Sequence, residues 1–213
     1  MQRMCILKKN IAFFLVVISV LFVFVSCGFN NHTKVIEKFL TNFKNQKLTE
    51  SYVYLTDNEE SSIFKGYMET VINSQNSENE LGKLNKVMLD KIFDFTYEIG
   101  EVNENEDGES VKVNVNFKYF DLLKAYEGAL NDFLTKSLDF ENLDNLYSVE
   151  YITNLLIEHI NKLEKQEKNL GIEVIKDKDW KLVMNRELTE ILTANSIKFI
   201  DSVKENISIE WNL

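Results

Sequence analysis

A change in hydrophobic period near residue 95 restricts the folds open to this chain. Before that point, apolar residues recur three and four positions apart, which is typical of amphipathic helices. From Val111 to Tyr119, every second residue is apolar and those between are Lys or Asn, which predicts a strand with one dry and one solvated face. Helices followed by paired strands predict an α+β domain in which an antiparallel sheet packs against helices.

Four amphipathic segments occupy the first half of the body. The spacing of their apolar residues predicts helices over about 33–45, 49–55, 63–72 and 81–93. Thr49 is the predicted N-cap of the second helix, because its hydroxyl can accept a hydrogen bond from an unpaired backbone N–H group. Each apolar stripe is expected to face the core and not a ligand.

Two antiparallel strand pairs are predicted, since their connections are too short to hold a helix. Residues 95–99 pair with 111–119 through turn residues 105–108, and 172–175 pair with 180–184 through 176–179. The rest of the body is predicted to form helices over about 122–138, 143–168 and 188–204, and a short strand over 207–211.

The first 26 residues have the pattern of a secretory signal. Arg3, Lys8 and Lys9 precede an uninterrupted apolar run of 15 residues over 11–25. A membrane-spanning helix needs about 20 such residues. The run therefore predicts a removed leader and an exported body.

The residues Phe24-Val25-Ser26-Cys27 resemble the lipobox of bacterial lipoproteins, except that leucine is usual where Phe24 stands. The resemblance implies that Cys27 becomes the first mature residue and carries a diacylglyceryl group with acyl chains such as palmitate. Stable anchoring takes two lipid chains, since one gives only marginal binding. The protein is then expected on the outer face of the cytoplasmic membrane, with residues 27–33 as a short tether. Two alternatives stay open, an ordinary signal peptide with a coincidental cysteine and an uncleaved anchor.

Cysteine and charge restrict what the body can do. Cys5 leaves with the leader, so the mature body contains no thiol beyond Cys27 and its fold depends on the apolar core. Loss of the three basic leader residues takes the net charge from −10 to −13. Such an excess of negative charge argues against nucleic acid as a partner. It also predicts that the protein attaches to the membrane through Cys27 and not through a basic face.

The body resembles exported lipoproteins of low-GC Gram-positive bacteria whose domain is similar to nuclear transport factor two. The residues that carry the resemblance are Ile36-Glu37-Lys38-Phe39-Leu40, Leu48-Thr49-Glu50-Ser51-Tyr52, the first hairpin and Asp179-Trp180-Lys181-Leu182. It covers about 33–194 and leaves 195–213 as an extension of one domain over 34–213. It implies a cone in which N-terminal helices pack on a curved antiparallel sheet built from two hairpins, with any pocket at the open end. These families largely lack an assigned activity.

Asn103, Asn105, Asp107 and Gly108 occupy positions 1, 3, 5 and 6 of a calcium-loop pattern. Position 12 is Asn114 in place of the usual bidentate glutamate, and a strand follows where a helix should. A hairpin turn is the favoured interpretation.

His159 is the one candidate catalytic residue. It shares a predicted helical stripe with apolar residues, including Leu155 and Leu163, so its imidazole points toward the apolar side. A general base would need a carboxylate within hydrogen-bond reach, and sequence spacing assigns none. A structural histidine is therefore favoured. His32 lies in the predicted tether and is expected to be solvated.

The aromatic residues of the second half are expected to belong to the core and not to a ligand pocket. They include Phe117, Tyr119, Phe120, Tyr126, Phe133 and Tyr147. The sequence has no glycine-rich phosphate loop, no G-x-S-x-G motif and no paired zinc-binding histidines, so no cofactor or metal is expected.

These observations favour a non-catalytic ligand-binding or protein-interaction domain at the cell envelope. Its expected ligand is a small apolar or wall-derived molecule, or a neighbouring envelope protein. The alternative is a cone-type hydrolase or isomerase with His159 as general base. A structural spacer is a third hypothesis, and it predicts no cavity above about 300 Å³.

Overall fold

The architecture consists of helices and a four-stranded antiparallel sheet of order β1-β2-β3-β4, in a computed structural model that describes residues 31–104, 108–137 and 148–201. The predicted α+β class is confirmed. The described helices are α1 (Asn31–Lys44), α2 (Leu48–Tyr52), α3 (Glu59–Ser74), α4 (Glu80–Phe93), α5 (Leu122–Ser137), α6 (Val149–Asn161) and α7 (Arg186–Leu192). The strands are β1 (Thr96–Glu104), β2 (Ser110–Tyr119), β3 (Gln166–Lys176) and β4 (Trp180–Leu182).

β2 lies between two partners and shows the predicted alternation. Its apolar residues are buried, because that face packs on the core, while Lys112 and Lys118 are exposed. Val113 pairs with Val102 of β1 on one side and with Ile172 of β3 on the other. The register of β1 shifts between Ile99 and Val102, which is the mark of a bulge.

β3 is much longer than predicted. Residues 162–168 were expected to continue a helix, but α6 ends at Asn161 and β3 begins at Gln166. The prediction was wrong because the first residues of β3 are polar and charged and show no strand pattern. They are nevertheless paired with β2, as far as Tyr119. β4 contains only three residues, so the second predicted hairpin is present in a reduced form.

A cluster of phenylalanine rings fills the space between the helices and the sheet. Phe43 of α1 lies 5.4 Å from Phe64 and 5.2 Å from Phe93, measured between ring centroids. Phe95 and Phe117 extend the cluster to the sheet, and their ring centroids are 6.3 Å apart. Complete burial of one such side chain contributes about 1.5–3 kcal/mol to folding. A core of this kind can stabilise the body without disulfides.

The predicted N-cap of α2 is wrong. That helix begins at Leu48, so Thr49 lies inside it, and Lys47 at the N-cap position makes no side-chain capping bond. α3 and α4 do have side-chain N-caps, since the side chain of Asn58 accepts from Ser61 N and that of Asn79 from Gly82 N.

The single helix predicted over 188–204 is divided. α7 ends at Leu192, Ala194 and Asn195 have positive φ, and residues 196–201 are helical again. The break is buried, and the Ala194 carbonyl there accepts a hydrogen bond from Leu122 N at 2.8 Å. This contact ties the break to the first residue of α5.

Several predicted features lie outside the described residues, namely the leader, Cys27, turn residues 105–107 and the strand over 207–211. Of the helices in the described ranges, none combines the length and hydrophobicity that a membrane crossing requires.

Candidate functional site

A cleft of about 670 Å³ opens where α1, the β3–β4 turn, β4 and the segment after α2 meet. We call it the lysine cleft, after the lysines that line it: Lys34, Lys38, Lys176, Lys178 and Lys181. Tyr54 and Trp180 supply aromatic surface, and Asp179 is the acidic residue in its lining.

Ordinary secondary structure brings these lysines together. Lys34 and Lys38 are four residues apart on α1 and therefore project from the same side of the helix. α1 packs against β4, which places that side next to the turn after β3. The segment after α2 is held to β4 by hydrogen bonds from Leu182 N to Tyr54 O at 2.8 Å and from Thr56 N to Leu182 O at 2.9 Å.

The lysine cleft is a positive site on an acidic protein. Its five lysines and one aspartate give the lining a formal charge of +4, whereas the whole chain has −10. Within the described ranges, none of Lys34, Lys38, Lys176 and Lys178 forms an ion pair with a carboxylate. Other lysines are paired, such as Lys118 with Glu167 at 2.7 Å and Lys168 with Glu187 at 2.9 Å. The cleft lysines therefore keep their charge available to an anion.

The amino-acid sequence did not indicate this site, and its net charge predicted no basic face. The five lysines come from segments about 140 residues apart, and no run of basic residues marks them. The available signal was the i, i+4 pair on α1 together with three lysines among residues 176–181.

The prediction of a solvated His32 is wrong. His32 is buried in the first turn of α1, and its ring meets that of Trp180 edge-on at a centroid distance of 4.7 Å. Among the described residues, neither ring nitrogen has a hydrogen-bond partner. The distance of 3.9 Å from Nε2 to Glu104 Oε1 is too long for a hydrogen bond. Packing of His32 on Trp180 restricts the indole that forms part of the cleft wall.

His159 lies on α6 and faces α5. Its Nε2 is 3.0 Å from Asp132 Oδ2, so the structure supplies the carboxylate that sequence spacing could not. The side chain of Asp132 is 52% exposed and that of His159 19%. His159 lines neither the lysine cleft nor the apolar groove described next. It therefore has a carboxylate partner for proton transfer but belongs to neither of these two cavities, and its catalytic role stays a prediction.

A small apolar groove of about 230 Å³ separates α5, α6 and residues 196–201. Tyr126 stacks on Phe199 there at a centroid distance of 4.3 Å, and burial raises the pKa of the Tyr126 hydroxyl. Its lining consists of Tyr126, Ala129, Leu130, Phe133, Ile152, Leu155, Leu156 and Phe199.

The aromatic residues of the second half have different positions. Phe117 and Tyr119 belong to the core, as predicted. Phe120 is buried outside the main core cluster, with the ammonium groups of Lys91 and Lys165 4.2 and 5.2 Å from its ring centroid. Tyr126 belongs to the core and also lines the apolar groove. Tyr147 lies outside the described residues.

The calcium-loop pattern falls only partly within the described residues. Asn103 lies in β1 opposite Lys112, Asn114 lies in β2, and Gly108 has a φ of 64°. Asn105 and Asp107 lie outside, so the choice between calcium loop and hairpin turn stays a prediction. Over the described ranges, no group of three or more His, Cys, Asp or Glu side chains is arranged to hold a metal ion.

The chain has little detectable similarity to known proteins. No protein-family model matches the chain, and no curated protein matches it. A solved structure that resembles it is a candidate lipoprotein, YcdA, from Bacillus subtilis, with 15% sequence identity and a TM-score of 0.36. The match covers 69% of this chain and 46% of that protein, so the chain spans less than half its length. Similarity at this level establishes neither the fold nor the function of the present chain.

Proposed function

We propose that this chain is an exported, lipid-anchored protein of the cell envelope whose body is a non-catalytic binding domain, and that the lysine cleft binds an anionic ligand. The observation that carries the proposal is a group of four lysines in one cleft of an acidic chain that form no ion pair with any carboxylate of the described residues. Ammonium groups attract phosphate or carboxylate oxygens as point charges.

The dimensions of the cleft support binding. Ligand sites usually enclose about 300–1,000 Å³, and the lysine cleft has about 670 Å³. The hypothesis of a structural spacer expected nothing this large. A small apolar ligand has less support, because the apolar groove measures about 230 Å³, below the usual range.

The anchor and the finer fold assignment are parts of the same proposal. The basic start, the apolar run and Cys27 after Ser26 support export and acylation at that cysteine. Packing of α1 over β2 and β4 of an antiparallel sheet supports a cone similar to nuclear transport factor two. We retain the expectation that the protein needs no cofactor.

Fluorescence of Trp180 tests anion binding directly. A Trp211→Phe background leaves Trp180 as the only tryptophan in the chain. We expect inorganic pyrophosphate to change its emission saturably, and Lys34→Glu/Lys38→Glu to weaken binding about tenfold or more. The matched control is Lys47→Glu/Lys86→Glu, which makes the same charge change at exposed positions outside the cleft. Equal weakening by both pairs, or no saturable response, would contradict the proposal.

The alternative function is a hydrolase or isomerase that uses His159 as general base. The specific observation in its favour is the 3.0 Å contact between His159 and Asp132, since a carboxylate can orient an imidazole and stabilise its charged form. Hydrolysis of a panel of activated esters by the purified protein, lost in His159→Ala and kept in Lys34→Glu/Lys38→Glu, would favour it. Absence of turnover over the panel would count against it.

A further inference from the structure

We propose that the lysine cleft faces the membrane that holds the anchor, and that its lysines bind the phosphate groups of anionic phospholipids. This inference rests on the proposed function, since it needs both an acylated Cys27 and an anion-binding cleft. It identifies the source of the anion as the bilayer itself.

The position of the cleft along the chain is the first reason. Asn31, the first residue of α1, is part of the cleft lining, and Cys27 precedes it by four residues. Four residues span at most about 14 Å when fully extended. Lys34 and Lys38 follow Asn31 within about 11 Å of helical rise. An anchor at Cys27 therefore brings the mouth of the cleft close to the headgroups.

The distribution of charge is the second reason. An anionic leaflet attracts a lining of +4 and repels the remainder of an acidic body, so one orientation of the domain is favoured over the others. The attraction acts over a Debye length of about 8–10 Å at physiological salt. The short tether keeps the cleft near that range.

The chemistry of the lining favours a lipid surface over a free phosphate. Lys34, Lys38, Lys176 and Lys178 are exposed, so their ammonium groups can contact several headgroups at once. Trp180 and Tyr54 lie beside them, and these two residue types are enriched at the level of the headgroups. His32 restricts the indole of Trp180 from within α1.

The test uses the full acylated protein, purified from its membrane and reconstituted in vesicles. The Trp211→Phe background again isolates Trp180, and a nitroxide attached to lipid headgroups serves as the quencher. We compare vesicles of phosphatidylcholine alone with vesicles containing about 30% phosphatidylglycerol. We expect about twofold stronger quenching of Trp180 in the anionic vesicles, and loss of that excess at about 0.5 M NaCl.

Variants separate the cleft from general charge. Lys34→Glu/Lys38→Glu should remove the excess quenching, while Lys47→Glu/Lys86→Glu should keep it, with unchanged circular dichroism in both. Equal quenching in the two kinds of vesicle would overturn the inference. So would a response of Trp180 to pyrophosphate in phosphatidylcholine vesicles with no excess quenching by phosphatidylglycerol, because the ligand is then a free anion and the proposed function survives. An intact mass without the acyl chains would overturn the anchor and this inference together.

Discussion

At the scale of single residues, Gln46 has a left-handed backbone conformation that is unfavourable for a residue with a side chain. It has a φ of 60° and follows the end of α1, where Gln46 N donates to Phe43 O and Lys47 N donates to Asn42 O. This bond pattern is the Schellman motif, whose left-handed position favours glycine. Gln46 is exposed, so its side chain contributes little packing in return.

Gln46→Gly is therefore expected to stabilise the protein by about 0.5–1 kcal/mol. The measurement is urea denaturation followed by circular dichroism. Gln75→Gly is the matched control, because Gln75 caps α3 with a φ of −64°, where glycine gains nothing and loses chain entropy. Stabilisation by both changes, or by neither, would show that backbone conformation at residue 46 is not the cause.

The His159 side chain leaves no room for a Cβ atom at Gly128 of α5. A Cβ built there would lie 2.7 Å from His159 Nδ1, whereas one built at Gly66 of α3 would meet nothing within 4 Å. Gly66→Ala should therefore stabilise the protein by about 1 kcal/mol through helix propensity. Gly128→Ala should instead destabilise it by about 1 kcal/mol, because overpacking exceeds that gain.

Thermal denaturation of the two alanine variants checks this difference, and the NMR signals of the His159 imidazole should shift only in Gly128→Ala. If the two variants have the same stability, His159 does not pack on α5 as described.

At the scale of elements, the segment after the α7 break is joined to α3 by one hydrogen bond. The Tyr67 hydroxyl and Ser196 Oγ are 2.5 Å apart. Burial raises the pKa of Tyr67 to about 12, and the bond to Ser196 partly opposes that rise. The folded state therefore holds the tyrosine proton more tightly than the unfolded chain does.

The sign of the pH dependence follows from this raised pKa. Tyrosine in the unfolded chain ionises near pH 10, so the contribution of Tyr67 is complete below about pH 10 and is lost as the pH rises toward 12. Tyr67→Phe should cost about 1 kcal/mol near pH 8 through the lost hydrogen bond. This difference in the free energy of unfolding should vanish or change sign near pH 11. The reason is that Tyr67 ionisation lowers the stability of the wild type alone, by about 1.4 kcal/mol per pH unit there.

Urea denaturation of both proteins at the two pH values measures this gap. Tyr52 also has a raised pKa, but it is common to both proteins and cancels in the difference. The pKa of Tyr126 is raised by burial and also by the charge of Tyr67, so both proteins carry Tyr126→Phe in this measurement. A gap that stays constant with pH would contradict the assignment to Tyr67.

The elements also show where sequence patterns succeed. β2 was predicted well, because one face is dry and one wet and the alternation is therefore visible in the residue types. The first half of β3 was missed, since Gln166, Glu167 and Lys168 have little strand propensity and are held there by pairing with β2. The same limit applies to the α7 break, where Ala194 O accepts a hydrogen bond from Leu122 N more than 70 residues earlier in the chain.

At the scale of the whole molecule, the basic cleft lies near the end of the body at which an anchor is expected. The protein is acidic overall but has a basic cleft near the start of α1. Acylation at Cys27 would hold that end of the molecule at a membrane surface.

Labelling growing cells with a clickable fatty acid tests the anchor. We expect the wild-type protein to take up the label and Cys27→Ala to lose it, because no other cysteine exists beyond the leader. Cys5→Ala is the matched control and should keep the label, since Cys5 is expected to leave with the leader. Label that persists in Cys27→Ala, or wild-type protein recovered from cytosol with Met1 attached, would contradict the assignment.

Local order along the chain is sufficient to predict some properties of this protein. The period of its apolar residues predicts the helices before residue 95 and the strand over 111–119, because each pattern depends on neighbours a few positions away. The residue pattern that predicts an export signal is local in the same sense. The lysine cleft, the burial of His32 against Trp180 and the contact of His159 with Asp132 are different, because each joins residues from separate segments. Their distances are set by how the elements pack, and no short stretch of sequence records that packing.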